Sequence, residues 1–363
     1  MSKDRLVSRV GLLSSVALLA AGSGTQAQEP NPQLTGFISE TLEAGTNLGL
    51  EPGNDEFGWR SITTLGLGFL SETETQTFAL DASVAGRSRI FGDDSDKSDD
   101  FKALPTVELF YGIEGTRTGF ELDGYYRLDE VDEDTFAQEY LISGKVIRRL
   151  TPGLSVNARA GYRSDGAEND GELDTTESLF FNLGAEYEGK LWVLGAAAGV
   201  RVFEDVVRPS GEITALRETA RGNVSGFIGL DTDRDADVSV VGGLATDYAL
   251  NSTNVLSASL DQRIAVNQDG DDELRSTARL ALTRDLTNRS SAEIGASFFL
   301  RNGLNDSDIN NLPGTSFDLG YNYALSERAD LVMGYEYTYE EEETGPSTTS
   351  HIVSVGISIP FGL

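Results

Sequence analysis

The segment His351-Ile352-Val353-Ser354-Val355-Gly356-Ile357-Ser358-Ile359-Pro360-Phe361-Gly362-Leu363 alternates between apolar side chains and small or polar ones. Val353, Val355, Ile357, Ile359, Phe361 and Leu363 share one set of positions, and Ser354, Gly356, Ser358, Pro360 and Gly362 the other. A β-strand sends successive side chains to opposite faces, so this segment is greasy on one side only.

The same pattern recurs upstream. Phe78-Leu80-Ala82-Val84, Leu154-Val156-Ala158-Ala160-Tyr162, Leu179-Phe181-Leu183-Ala185-Tyr187 and Ala292-Ile294-Ala296-Phe298-Leu300 all alternate with polar, small or charged residues. Helical spacing at i, i+3 and i+4 is absent from these runs. A terminal strand of this kind, carrying an aromatic near its end and preceded by many like it, resembles the closing strand of porin-like bacterial outer-membrane β-barrels. The resemblance covers the whole mature chain and implies an all-β, transmembrane antiparallel up-and-down barrel. Pro360 removes one ladder donor in the final strand, and a local loss of pairing is expected there.

The N-terminus agrees with an exported protein. Lys3, Arg5 and Arg9 precede an apolar run from Val10 to Ala21, followed by Thr25-Gln26-Ala27. This reads as a signal peptide over residues 1–27, leaving 28–363 as a single barrel domain. About a dozen apolar residues cannot cross a bilayer core that needs ~20. The chain has no Cys, so disulfide and thiolate chemistry are excluded. With 59 acidic residues against 28 basic ones, the net charge of -31 excludes nucleic-acid binding, which needs a basic footprint.

Connections of two kinds take turns. Short ones lie at 71–76, 115–119, 150–154, 188–191, 219–222, 250–254, 286–290 and 325–330, and several begin with Leu then Thr, Ser or Asn. Long, acidic ones are expected at 46–57, 91–104, 128–136, 164–176, 204–210, 231–237, 266–274, 302–314 and 340–349. Those nine spans hold 34 of the acidic residues and 4 of the basic ones. A barrel of this family has an even strand number with both termini on the short-turn side. That parity selects eighteen strands, with sixteen as the fallback.

If the apolar set faces lipid, the alternate set faces the lumen, because a Lys or Arg at mid-bilayer on the lipid face costs about 2–4 kcal/mol. The lumen set comprises Arg87, Arg89, Arg127, Lys145, Arg149, Arg159, Arg163, Arg201, Arg263, Arg279 and Arg301. Facing the same way are Asp81, Glu108, Glu121, Asp123, Glu186, Asp261, Glu293, Asp318 and Glu336. Both signs are present, so the wall by itself predicts no ion preference, while the acidic rim should concentrate cations at the mouth. Barrels of 16–18 strands leave an aqueous channel, so a passive route for small hydrophilic solutes is expected. The alternative is a structural or surface-interaction barrel with a plugged lumen, and a soluble adhesin is a third class.

No cofactor is expected. Asp231–Asp237, Asp93–Asp96, Asp269–Asp272 and Glu340–Glu343 lack the EF-hand spacing, and at most share divalent cations with lipopolysaccharide. His351 lies beside Ser350, but a nucleophile–base–orienter set needs three groups in reach and the short sequence signatures of outer-membrane hydrolases are not apparent, so no enzyme is expected. Gly66-x-Gly68 lies within an alternating run and is no phosphate loop. Expected partners are outer-membrane lipid, lipopolysaccharide and the barrel-assembly machinery.

Overall fold

The computed structural model describes residues 32–48, 57–91, 101–130, 135–169, 172–203, 206–233, 237–266, 272–304, 312–341 and 346–362. The signal-peptide segment and most of the acidic connections lie outside the described residues. Eighteen strands run in chain order: β1 (Gln33–Thr46), β2 (Phe57–Glu72), β3 (Gln76–Phe91), β4 (Phe101–Glu114), β5 (Thr118–Glu130), β6 (Thr135–Thr151), β7 (Leu154–Asn169), β8 (Glu172–Glu188) and β9 (Trp192–Val202). They continue as β10 (Val207–Thr219), β11 (Gly222–Thr232), β12 (Val238–Asn251), β13 (Asn254–Val266), β14 (Asp272–Thr287), β15 (Ser290–Gly303), β16 (Leu312–Ser326), β17 (Ala329–Glu340) and β18 (Thr348–Gly362). Each pairs antiparallel with the next, and β1 pairs with β18, so the sheet closes on itself and has no edge.

The recurrent Leu-Thr, Leu-Ser and Leu-Asn starts of the short turns have a structural cause. The ladder shifts register between Arg149 and Thr151, Ala249 and Asn251, Asp285 and Thr287, and Ala324 and Ser326. The skipped residue is in each case the leucine: Leu150, Leu250, Leu286 and Leu325 are all exposed. In three of the four turns the polar residue that follows caps the turn. The Thr253 amide donates to Asn251 Oδ1 (2.9 Å), Arg289 N to Thr287 Oγ1 (3.1 Å) and Arg328 N to Ser326 Oγ (3.1 Å). A bulge followed by an Asx- or ST-turn reverses the chain in two residues.

At the other rim the strands outrun the expected loops. Asn169 pairs with Glu172, so most of 164–176 is paired strand, and 128–136 is strand as far as Glu130 and again from Thr135. The ladder also continues through Pro360, whose partner is Phe37, to Thr35 and Gly362. The expected loss of pairing does not occur: the β17 ladder ends at Ser358, so Pro360 has one neighbour and gives up one donor.

The outward face is predominantly apolar around the barrel. One lateral row passes from Leu256 through Leu282, Ile294, Leu319, Tyr335, Val353 and Ala44 to Trp59, each the cross-strand partner of the last. Leu244, Ile213 and Ile228 are more than 60% exposed. Side chains this apolar are stable on the outside only against hydrocarbon, so the molecule has no dry core between packed layers.

Candidate functional site: an arginine belt on the inner wall

The concave side is identified by side chains that converge from strands far apart in the sheet. Leu141 of β6, Arg159 and Arg163 of β7, Arg201 of β9, Arg208 of β10 and Asp231 of β11 line one cavity of 260 Å³. Arg208 of β10 reaches Asp272 of β14, four strands away, at 3.0 Å, with both side chains buried. Such contacts are possible only across the interior.

The inward charges are sorted by height. Near the short turns they are mostly acidic: Asp81, Glu108, Glu121, Asp123, Glu186, Asp247 and Glu293 lie in the half of each strand that ends there. Asp81 and Glu108 are direct cross-strand partners, as are Asp318 and Glu336 nearer the middle. Basic residues in this lower half are neutralised one by one. Arg159 binds Asp123 (2.6 Å), Lys145 binds Glu121 (3.0 Å), and Arg149 pairs with Glu114. Asp123 also accepts the Ser143 hydroxyl (2.9 Å).

The remote half of the strands carries a belt of arginines. Arg263, Arg275 and Arg301 are consecutive cross-strand partners on β13, β14 and β15. Arg201 is the partner of Arg208, and Arg87 the partner of Lys102. Arg89 is the backbone partner of Arg60, and its side chain lies outside the described residues. Directly opposed like charges destabilise a sheet, each pair by roughly 0.2–1 kcal/mol. A wall chosen for stability alone would alternate the signs.

Part of the belt is paired and part is not. Arg163 binds Asp165 (2.7 Å) and lies 3.8 Å from Glu139, Arg127 pairs with Asp129, and Arg60 pairs with Glu43. Arg301 donates to the Glu341 carbonyl at 2.8 Å. Arg201, Arg263, Arg275 and Arg279 form no ion pair among the described residues. Arg279 sits between Ser259 and Ser297 on the neighbouring strands.

Aromatic rings hold several of these guanidinium groups. Arg263 lies 4.1 Å over Phe227, Arg275 4.5 Å over Phe299, and Arg159 5.7 Å over Phe180. Each ring is seated on a glycine of the adjacent strand: Phe227 on Gly243, Phe299 on Gly314 and Phe180 on Gly161. A Cβ at Gly314 would fall 2.0 Å from the Phe299 ring, so only glycine lets the ring lie flat against the wall. The flat ring then carries the planar guanidinium, leaving its N–H edges free for other partners.

Several members of the belt fall outside the set expected from sequence. Arg208 and Lys102 lie in spans taken as loops, and Arg60 and Arg275 sit just beyond such spans; all are in strand because the strands run further. Phe180, Phe227 and Phe299 share the inner face with other apolar residues, among them Phe37, Leu104, Leu141 and Val241, and nothing in their immediate sequence marks them as supports for arginine.

His351 points outward, where Nδ1 meets Tyr335 Oη at 3.0 Å and the ring packs 4.9 Å from Tyr337. Ser350 turns to the other face and donates to the Thr46 carbonyl at 3.1 Å. The two neighbours therefore lie on opposite sides of the sheet and cannot act as nucleophile and base.

Solved structures share this architecture. Pseudomonas aeruginosa OpdK with vanillate matches at TM-score 0.54 and 12% identity, covering 92% of this chain and 99% of that one. Acinetobacter baumannii OccAB3 matches at 0.54 and 9%, covering 92% and 100%, and P. aeruginosa OccK2 (OpdF) at 0.52 and 13%, covering 92% and 98%. Another crystal structure describes OpdK as an outer membrane protein. At such identities the likeness establishes the barrel fold. No curated protein matches the sequence. The model of the family described as "Protein of unknown function, DUF481" matches residues 98–323, more than half of the chain, and the protein belongs to that family.

Proposed function

We propose that this protein is a porin-like channel of the bacterial outer membrane, through which small hydrophilic solutes diffuse passively, anions in preference to cations. The observation that carries the reading is the run of opposed arginines, Arg263–Arg275–Arg301 and Arg201–Arg208, on the inner wall of an apolar-coated barrel. Their mutual repulsion is offset when an anion sits among them, and the guanidinium edges are aimed for that contact. Vanillate, which accompanies OpdK, is a carboxylate, and a barrel of the same fold supports the same broad class of solute here.

Two fields oppose each other along the path. The acidic residues that the sequence places in the long connections attract cations, but a charge in contact with bulk electrolyte is screened over a Debye length of about 8–10 Å. The belt is enclosed by a low-dielectric wall that focuses its potential into the lumen. The belt therefore sets the selectivity, and the rim sets only the local supply of ions. The acidic lower half then favours release, because an anion that has passed the arginines meets repulsion rather than a second binding level.

Reconstitution into a planar bilayer under a potassium chloride gradient tests the proposal. Stepwise conductance with a reversal potential of the sign given by chloride permeation supports it. A folded barrel that does not conduct, or one that prefers potassium, overturns it. The Arg263→Ser, Arg275→Ser, Arg301→Ser triple variant should move the reversal potential toward zero or past it while still conducting.

A further inference from the structure

At the short-turn end the two faces of the wall carry opposite charge. Arg148 of β6, Arg217 of β10 and Arg284 of β14 lie an even number of residues from Ile142, Ile213 and Leu282, so they share the outward face with them. All three arginines are exposed. The carboxylates at the same strand ends, Glu72, Glu114, Glu188, Glu218, Asp285 and Asp330, fall on the alternate positions and face the lumen. No strand places a carboxylate outward at this end among the described residues. Arg217 and Glu218, and likewise Arg284 and Asp285, are thus chain neighbours held on opposite sides of the sheet. Arg148, Arg217 and Arg284 form no ion pair among the described residues, and Arg217 lies 5.3 Å over the Trp192 ring.

Each outward arginine has a second cation beside it in a short turn. Arg284 and Arg289 belong to the β14–β15 hairpin, and Arg217 and Arg221 to the β10–β11 hairpin. Lys190 lies two residues before Trp192, the cross-strand partner of Arg217. The Arg117 carbonyl accepts the Arg149 amide at 2.8 Å, which sets the β4–β5 turn against the strand that carries Arg148. The two turn carboxylates, Glu74 and Glu327, lie in other turns. At a rise of ~3.3 Å per residue and a tilt of ~40°, the three arginines stand within about 8 Å of the turns, at headgroup depth. Deeper on the same face come Val146, Leu194 and Leu280, all exposed.

We infer that these three clusters bind the phosphodiester headgroups of anionic phospholipid in the periplasmic leaflet, with the acyl chains laid on the apolar face beneath. A guanidinium fork matches two phosphate oxygens, and at each site a second cation meets the same headgroup. A zwitterionic headgroup brings its own ammonium into that space, so the excess positive charge selects lipids without one. The opposite end of the wall identifies the leaflet. There, among the described residues, every arginine and lysine of the strands faces the lumen, so the outer wall offers the phosphates of lipopolysaccharide no cation at that level. The sorting also runs against the overall charge of the chain. A net charge of -31 repels anionic lipid at long range, so any enrichment has to come from the local clusters. The inference rests on the membrane reading of the outer face and is independent of what crosses the lumen.

The two tryptophans of the chain read the two ends separately, Trp192 beside Arg217 and Trp59 near the long connections. Trp59→Phe and Trp192→Phe chains, each keeping one fluorophore, are folded into phosphatidylcholine vesicles. The vesicles contain acyl-brominated phosphatidylglycerol or acyl-brominated phosphatidylcholine at equal mole fraction. Resistance to alkaline extraction establishes insertion separately. Expected is stronger quenching of Trp192 by the brominated phosphatidylglycerol, corresponding to a several-fold local enrichment, and no preference at Trp59. Adding Lys190→Gln, Arg217→Gln and Arg221→Gln to the Trp59→Phe chain should remove the preference, and the ratio between the two lipids cancels any change in the brightness of Trp192. Equal quenching of Trp192 by both lipids in inserted protein overturns the inference. An equal preference at Trp59, the mark of a general attraction, also overturns it, as does a preference that survives the triple substitution.

Discussion

The guanidinium of Arg263 lies 4.1 Å over the ring of Phe227, which in turn covers Gly243. Three strands, β11, β12 and β13, each contribute one layer of this stack. It fixes the charge where the neighbouring Arg275 would otherwise push it aside. The arrangement makes the orientation of a charged group, rather than its presence alone, the property to perturb.

Removing the ring while keeping the charge isolates that property. Phe227→Ala should weaken the anion preference without abolishing conduction, and Arg263→Lys should do the same, because an ammonium cannot lie flat on the ring and present a planar fork. The reversal potential of each variant, measured beside the parent, checks this. Unchanged selectivity in both would leave the stack without a role in permeation.

Salt should erode the preference. The Debye length falls from about 10 Å at 0.1 M to about 3 Å at 1 M, so selectivity measured at a fixed concentration ratio should shrink as both baths are raised. Selectivity that did not vary with salt would point to steric sieving instead of the arginine field.

The Arg208–Asp272 pair should be the costliest single contact on the inner wall to break. Its side chains are 6% and 2% exposed, and Arg208 also stacks on Phe203. Losing one partner of a buried pair costs about 3–5 kcal/mol, whereas replacing both with apolar residues can be neutral. Asp272→Ala should therefore lower the denaturant midpoint of the bilayer-folded protein, and Arg208→Met with Asp272→Leu should restore much of it. The fluorescence of Trp59 and Trp192 follows the transition.

On the outer face, Leu244→Arg should destabilise the folded barrel by about 2–4 kcal/mol, and an arginine near the rim by much less. Unfolding equilibria in lipid vesicles distinguish the two depths. Equal effects would contradict hydrocarbon contact at Leu244.

Much of the architecture is legible in the chain before folding. The alternation in His351–Leu363 and its relatives names the outward side chains, and the taking of turns between short and long connections, with parity, leads to eighteen strands. The Leu-Thr and Leu-Asn starts of the short turns are visible as a repeat, although their meaning, a bulge and a cap, needed the register. The long connections were drawn too wide because acidic composition marks the rim, not the end of pairing. Arg208 and Lys102 were hidden by that error, as the outward Arg148, Arg217 and Arg284 were by the assumption that every outward position must be apolar.

Which residues alternate is a property of one strand, because side-chain direction repeats every two residues along a single chain. Which arginines stand side by side is not: Arg263, Arg275 and Arg301 are brought level by the stagger of three strands and by the closure of the ring. The linear order thus determined the barrel, its strand number and the sign of each face. The belt, its phenylalanine supports and the arginine clusters on the lipid side were decided only by tertiary structure, since register and closure alone say which distant side chains share a height.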